Sequence, residues 1–201
     1  AGQMTLADTI DPSTSYYDID SDETFVYAAV GSGVDVYGVD ENTGALSFLH
    51  NHPTPITRTV HKTSEYLYVT SGIQLHVYSV NEGTGALTLL DNVTLTNTAH
   101  GNSDVITSGS NMILSTASQL HHFLKYPNGT HELVNVYTPL GESPKLAHSQ
   151  EYIFYFATGT GIDQYAFGND TFGKVTQDES LGPCLDVTLH KNRLYAACDA
   201  I

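Results

Sequence analysis

The sequence predicts an all-β chain of the β-propeller class, and three observations predict it. A unit of about 42 residues recurs along the chain, apolar residues alternate within each unit, and no helical period is sustained. In the first unit, Phe25-Val26-Tyr27-Ala28-Ala29-Val30 precedes Val34-Asp35-Val36-Tyr37 and Thr43-Gly44-Ala45-Leu46. The second repeats it as Tyr66-Leu67-Tyr68-Val69-Thr70, Leu75-His76-Val77-Tyr78 and Thr84-Gly85-Ala86-Leu87, a shift of 41 residues. Fainter copies contain Met112-Ile113-Leu114 with Leu120-His121-His122-Phe123, and Tyr152-Ile153-Phe154 with Ile162-Asp163-Gln164-Tyr165. A fifth begins at Leu194-Tyr195-Ala196.

Each element of the first unit has a local reason. Ser15 to Asp20, Phe25 to Val30, Val34 to Val39 and Ala45 to His50 are short β-branched and aromatic runs bounded by polar clusters, which is strand chemistry. Asp40-Glu41-Asn42-Thr43-Gly44 and Asn81-Glu82-Gly83-Thr84-Gly85 supply the Asn and Gly that accept positive φ, so they join third to fourth strands. Four antiparallel strands in such a unit make one blade. The blades are expected at residues 11–50, 51–92, 95–137, 138–178, and 179–201 completed by 1–10. The last is incomplete, because Met4-Thr5-Leu6-Ala7-Asp8-Thr9-Ile10 supplies only one of its missing strands. The fourth strand is absent, lies in an extension, or comes from a neighbouring molecule by strand exchange.

Composition removes several function classes. The 201 residues carry 22 acidic and 7 basic side chains, a net charge of −15, with no Lys/Arg cluster for a phosphate backbone. Nucleic acid is therefore not an expected partner; other protein copies or an extracellular ligand are. No apolar run reaches the roughly 18 to 20 residues of a membrane span. The row begins at Ala1, consistent with a removed leader or a trimmed start, and secretion is the expectation.

Cys184 and Cys198 sum to 382 and so flank residue 191 symmetrically, which allows a cross-strand disulfide; two buried thiols are the alternative. Sequons stand at Asn92, Asn128 and Asn169, the last two in turns between third and fourth strands, where a glycan is sterically free. Asn in such turns also has a purely conformational reason. Among the 10 histidines, His121 and His122 are adjacent and point to opposite strand faces, so no metal or other cofactor is expected. His52 and His100, placed in links between blades, could meet Asp104 or Glu142 at a rim and bind a ligand there. Asp18, Asp20, Asp22 and Glu23 alternate like calcium ligands but lack the Gly and Glu of a calcium loop, and read better as the first hairpin turn.

Tyr-x-Tyr-Val/Ala, a Gly-rich turn, Val-x-Val-Tyr-x-Val-Asp/Asn and Thr-Gly-Ala-Leu together resemble the repeat of the YVTN and lactonase-type β-propellers, which include phosphogluconolactonase-like enzymes. The resemblance is strongest over residues 22–92 and implies a blade and, through the family, lactone hydrolysis; it implies no catalytic residue. The residues themselves show no nucleophile elbow, zinc motif or phosphate loop. They favour a glycosylated extracellular binding or structural module, with a lactonase-like hydrolase of a small sugar or acid lactone as the alternative.

Overall fold

A computed structural model describes residues 15–96, 103–116, 119–138, 145–148, 153–158, 160–168, 171–190 and 193–198. Contacts divide the chain into two units, residues 1–92 and 93–201, each described by itself. The fold class is all-β and propeller-like. Every four-stranded sheet has its strands in chain order and antiparallel, the plan expected of a blade.

In the first unit, β1 (Tyr16–Ser21), β2 (Phe25–Val30), β3 (Gly33–Val39) and β4 (Leu46–Pro53) form one sheet. The second contains β5 (Thr57–Lys62), β6 (Leu67–Ser71), β7 (Gln74–Val80) and β8 (Leu87–Thr94), whose end crosses the boundary. Phe25, Tyr27, Ala29, Val34 and Val36 on one face of the first sheet pack against Val60, Leu67, Val69, Tyr78 and Leu87 of the next. All of these but Val60 lie in the repeated segments, so the periodicity is a record of sheet-on-sheet burial.

Polar mortar supplements this core. Asp18 and Asp20 on β1 reach the next sheet, where their Oδ2 atoms accept hydrogen bonds from the Val60 and Lys62 amides at 3.0 and 2.7 Å. Asp22, with Glu23, belongs to the hairpin turn. Its Oδ1 caps the Thr24 and Phe25 amides and its Oδ2 accepts from the Tyr27 hydroxyl at 2.9 Å. The run Asp18 to Glu23 is thus part strand, as the expected strand Ser15 to Asp20 implies, and part turn, which corrects the reading of the whole run as the hairpin turn.

The second unit contains β9 (Asp104–Ser108), β10 (Asn111–Ser115), β11 (Leu120–Lys125) and β12 (His131–Tyr137), then β13 (Lys145–His148), β14 (Ile153–Thr158), β15 (Gly161–Gly168) and β16 (Thr171–Asp178). Ile113, Leu120, Phe156 and Tyr165 join these two sheets. β17 (Cys184–His190) and β18 (Arg193–Cys198) form a two-stranded sheet among the described residues; residues 1–10, expected to complete it, lie outside them.

Cys184 and Cys198 form a disulfide. The hairpin does not reach that pairing by simple symmetry. From His190↔Arg193 to Asp186↔Ala197 the paired residues keep an index sum of 383, and a bulge at Leu185 then brings Cys184 opposite Cys198. Without that extra residue the two sulfurs would be out of step.

Candidate functional site

The same device recurs in the fourth strands and determines where His50 and His52 point. Phe48 pairs with Tyr37 but His50 with Val36, leaving Leu49 as an extra residue in β4. β12 repeats this at Val134 and β16 at Val175. Strand alternation alone would keep His50 and His52 on the face of Phe48. The bulge transfers both to the face packed on the second sheet, opposite Val36 and Val34. His52 therefore lies inside β4 rather than in a link between blades, a correction to its sequence placement.

The resulting corner holds His50, His52, His76, Tyr78 and Thr54. The His52 ring meets Tyr78 edge-on at 4.8 Å, and His76 stacks on Tyr78 at 6.1 Å. The Tyr78 hydroxyl and Thr54 Oγ1 share a hydrogen bond of 3.0 Å, and Thr57 Oγ1 donates to the Thr54 carbonyl at 2.6 Å. Burial, aided by repulsion from His50, lowers the pKa of His52; burial, aided by His52, lowers that of His76. Tyr78 is shifted upward by burial, with the Thr54 bond opposing it. At neutral pH His52 and His76 offer uncharged imidazoles beside a Tyr78 phenol that keeps its proton.

Asp104 opens β9 in the second unit. Its amide donates to Ser115 Oγ and its Oδ1 accepts from the Val105 amide, both at 2.9 Å. His100, Glu142 and Asn169 lie outside the described residues. Asn128 occupies the β11–β12 turn and is exposed, its Oδ1 accepting from the Thr130 amide and hydroxyl at 3.1 and 2.7 Å. Asn92 is exposed within β8. Among the described residues, no group of three or more His, Cys, Asp or Glu could hold a metal ion.

Sequence reasoning missed a cleft of about 740 Å³ in the second unit, between β15–β16 and β18. Gln164, Thr176, Gln177 and Asp178 form its polar wall, and Tyr155 and Leu194 face them. The Ser180 hydroxyl and amide hold the Asp178 carboxyl below its ordinary pKa. Those residues come from four strands, so no local motif could have announced them. A second, mainly apolar cleft of about 400 Å³ in the first unit is lined by Tyr16, Tyr17, Ile19, Val26 and Tyr37. Beside it the Arg58 guanidinium sits 4.2 Å above the Tyr17 ring.

No protein-family model and no curated protein sequence matches the chain. Solved structures do resemble it. A candidate 6-phosphogluconolactonase from Bacteroides fragilis superposes with a TM-score of 0.70 at 15% identity, over 92% of this chain and 64% of that one. The periplasmic gluconolactonase of Pseudomonas aeruginosa gives 0.66 at 18% identity, over 87% of this chain and 54% of that one. A virginiamycin B lyase from Staphylococcus aureus gives 0.62 at 10%, over 93% and 64%. At these identities the likeness is one of fold, and the chain spans less than two thirds of the length of each of these proteins.

Proposed function

We propose that this chain is a lactonase-like hydrolase acting on a small sugar or acid lactone without a phosphate group. The observation that carries the reading is the superposition on the two lactonase-type structures over roughly nine tenths of the chain. It supports the hydrolase reading over a binding or structural module. His52 is the residue we assign as general base. It is half-buried and held neutral by its surroundings, so it can take a proton from water as the oxygen adds to the lactone carbonyl. The ring C–O bond then breaks, the released alkoxide regains the proton, and a hydroxy acid is formed.

Charge argues for an unphosphorylated substrate. The net charge of −15 repels a phosphate dianion, and one of the two arginines, Arg58, is already stacked on Tyr17. The disulfide and the periplasmic relative in fold support a location outside the cytoplasm, where Asn128 and Asn92 would be accessible to glycosylation. The test is a pH-stat assay on gluconolactone, its 6-phosphate and simple γ-lactones. Hydrolysis of the unphosphorylated compounds is expected, with His52→Gln lowering kcat about 100-fold. Absence of hydrolysis across the panel overturns the proposal, and full activity in His52→Gln overturns the assignment of the base.

A further inference from the structure

One position recurs in the third strand of every four-stranded sheet, two residues before its aromatic anchor. It holds Asp35 before Tyr37, His76 before Tyr78, His121 before Phe123 and Asp163 before Tyr165. The register confirms the equivalence, since these residues pair with Ala28, Val69, Leu114 and Phe156 at the middle of each preceding strand. An apolar side chain would satisfy the packing there, yet all four are titratable.

Their partners divide them into two kinds. Asp35 accepts from Asn51 Nδ2 at 2.7 Å, and the fully buried Asp163 is paired with the Lys174 ammonium at 2.9 Å. Among the described residues, no acid is paired with either histidine. His76 Nδ1 and, on β4, His50 Nε2 are buried without a hydrogen-bond partner. His76 meets His52 on β4, Val69 on β6 and Tyr78 on its own strand, none of which is an acid. His121 is fully buried; its Nε2 bonds Thr96 Oγ1 at 3.0 Å, and its Nδ1 has no partner of ordinary hydrogen-bond geometry. Leu114 on β10, Val136 on β12 and Phe123 on its own strand surround it, with Gln119 sharing the Thr96 hydroxyl.

We propose that His76 and His121 form an acid-sensitive latch: neutral, they pack as aromatic filler in the sheets that hold them, and protonated, they loosen that packing. The charge has nowhere to go. At His76 it would meet the His52 imidazole, and at His121 the uncharged Thr96 hydroxyl amid Leu114, Val136 and Phe123, so relief requires the ring to reach water. The burial that disfavours the imidazolium lowers both pKa values, that of His121 to about 4. Loosening would therefore set in as mild acid protonates the open form, before most of the 22 carboxylates titrate.

Two measurements on the intact, disulfide-bonded chain test this. An NMR titration of the histidine ring protons should give His76 and His121 midpoints below that of an exposed histidine, about 6.5. Midpoints at or above 6.5 overturn the latch, and this readout needs no mutant to fold. Urea unfolding between pH 7.5 and 5.0 should show the unfolding constant rising up to about tenfold per pH unit for each latch histidine, once the pH is below 6.5. His76→Gln and His121→Gln should each flatten that slope by their share. A wild-type constant unchanged across the range, or an unchanged slope in both variants, overturns the proposal. Neither readout involves lactone hydrolysis, so the latch and the proposed activity stand or fall separately.

Discussion

Removing the carboxylate of Asp18 or Asp20 should loosen the first two sheets from each other without disturbing either sheet alone. Asp18 accepts one hydrogen bond from the Val60 amide at 3.0 Å, and Asp20 one from the Lys62 amide at 2.7 Å. Asp20 also faces His61 Nδ1 at 3.5 Å and accepts from the Ser21 amide at 2.8 Å. A hydrogen bond to a charged group contributes about 1.5–3 kcal/mol, and both acids are half-buried, so the lower part of that range applies. Asp18→Ala should cost about 2 kcal/mol, and Asp18→Asn, which keeps an acceptor oxygen, about 1 kcal/mol. The double Ala variant should cost about 3–4 kcal/mol, less than strict additivity if the two acids support one interface. Urea unfolding at pH 7, followed by the fluorescence of the 13 tyrosines in a chain without tryptophan, measures the totals. Hydrogen exchange locates the effect: the Val60 and Lys62 amides should lose protection while the β2–β3 ladder keeps its own. A cost below about 0.5 kcal/mol for Asp18→Ala, with Val60 exchange unchanged, would refute the view that these acids bridge the sheets.

Reducing the Cys184–Cys198 disulfide, which closes a loop with a sequence separation of 14, should destabilise the second unit by about 3 kcal/mol, read as a fall in urea midpoint with added reductant. Gly85→Ala should cost about 2 kcal/mol, because Gly85 has φ +70° and a Cβ there would lie 2.9 Å from Val36 Cγ1 and 3.1 Å from the Phe25 ring. Gly72→Ala, at φ +60° in open space, should cost about half of that, and equal costs would mean that crowding is not the cause. The pH dependence from His121 has a definite sign. Its folded pKa of about 4 lies below the unfolded value, so near pH 5 the unfolded chain binds a proton that the folded chain does not. Stability from this group is present above pH 6.5 and lost as pH falls towards 4, about 3 kcal/mol in all, which denaturant midpoints against pH would reveal as a slope reduced in His121→Gln.

The sequence by itself determined the strands, their grouping in fours and the turns, because those depend on short-range alternation and on Gly and Asn at positive φ. Tyr27, Val36, Leu67 and Tyr78 could be read as core from the repeat alone, and they are core. Strand limits were legible to within a few residues: β1 is Tyr16–Ser21 against an expected 15–20, and β4 runs on to Pro53 past His50. What failed was parity after a bulge. The extra residues at Leu49 and Leu185 carry no sequence signal of their own, yet each reverses which face the following or preceding side chains occupy. For that reason His52 was legible as a polar residue near a rim but not as a neighbour of His76 and Tyr78. For the same reason the Cys184–Cys198 bond was expected from a symmetry that the ladder does not follow. Only the tertiary structure decided that Asp18 and Asp20 reach the neighbouring sheet. The physical cause is common to all three cases: alternation along a strand is local, whereas the face a side chain ends on depends on the pairing partner, and the partner is set by packing between distant segments.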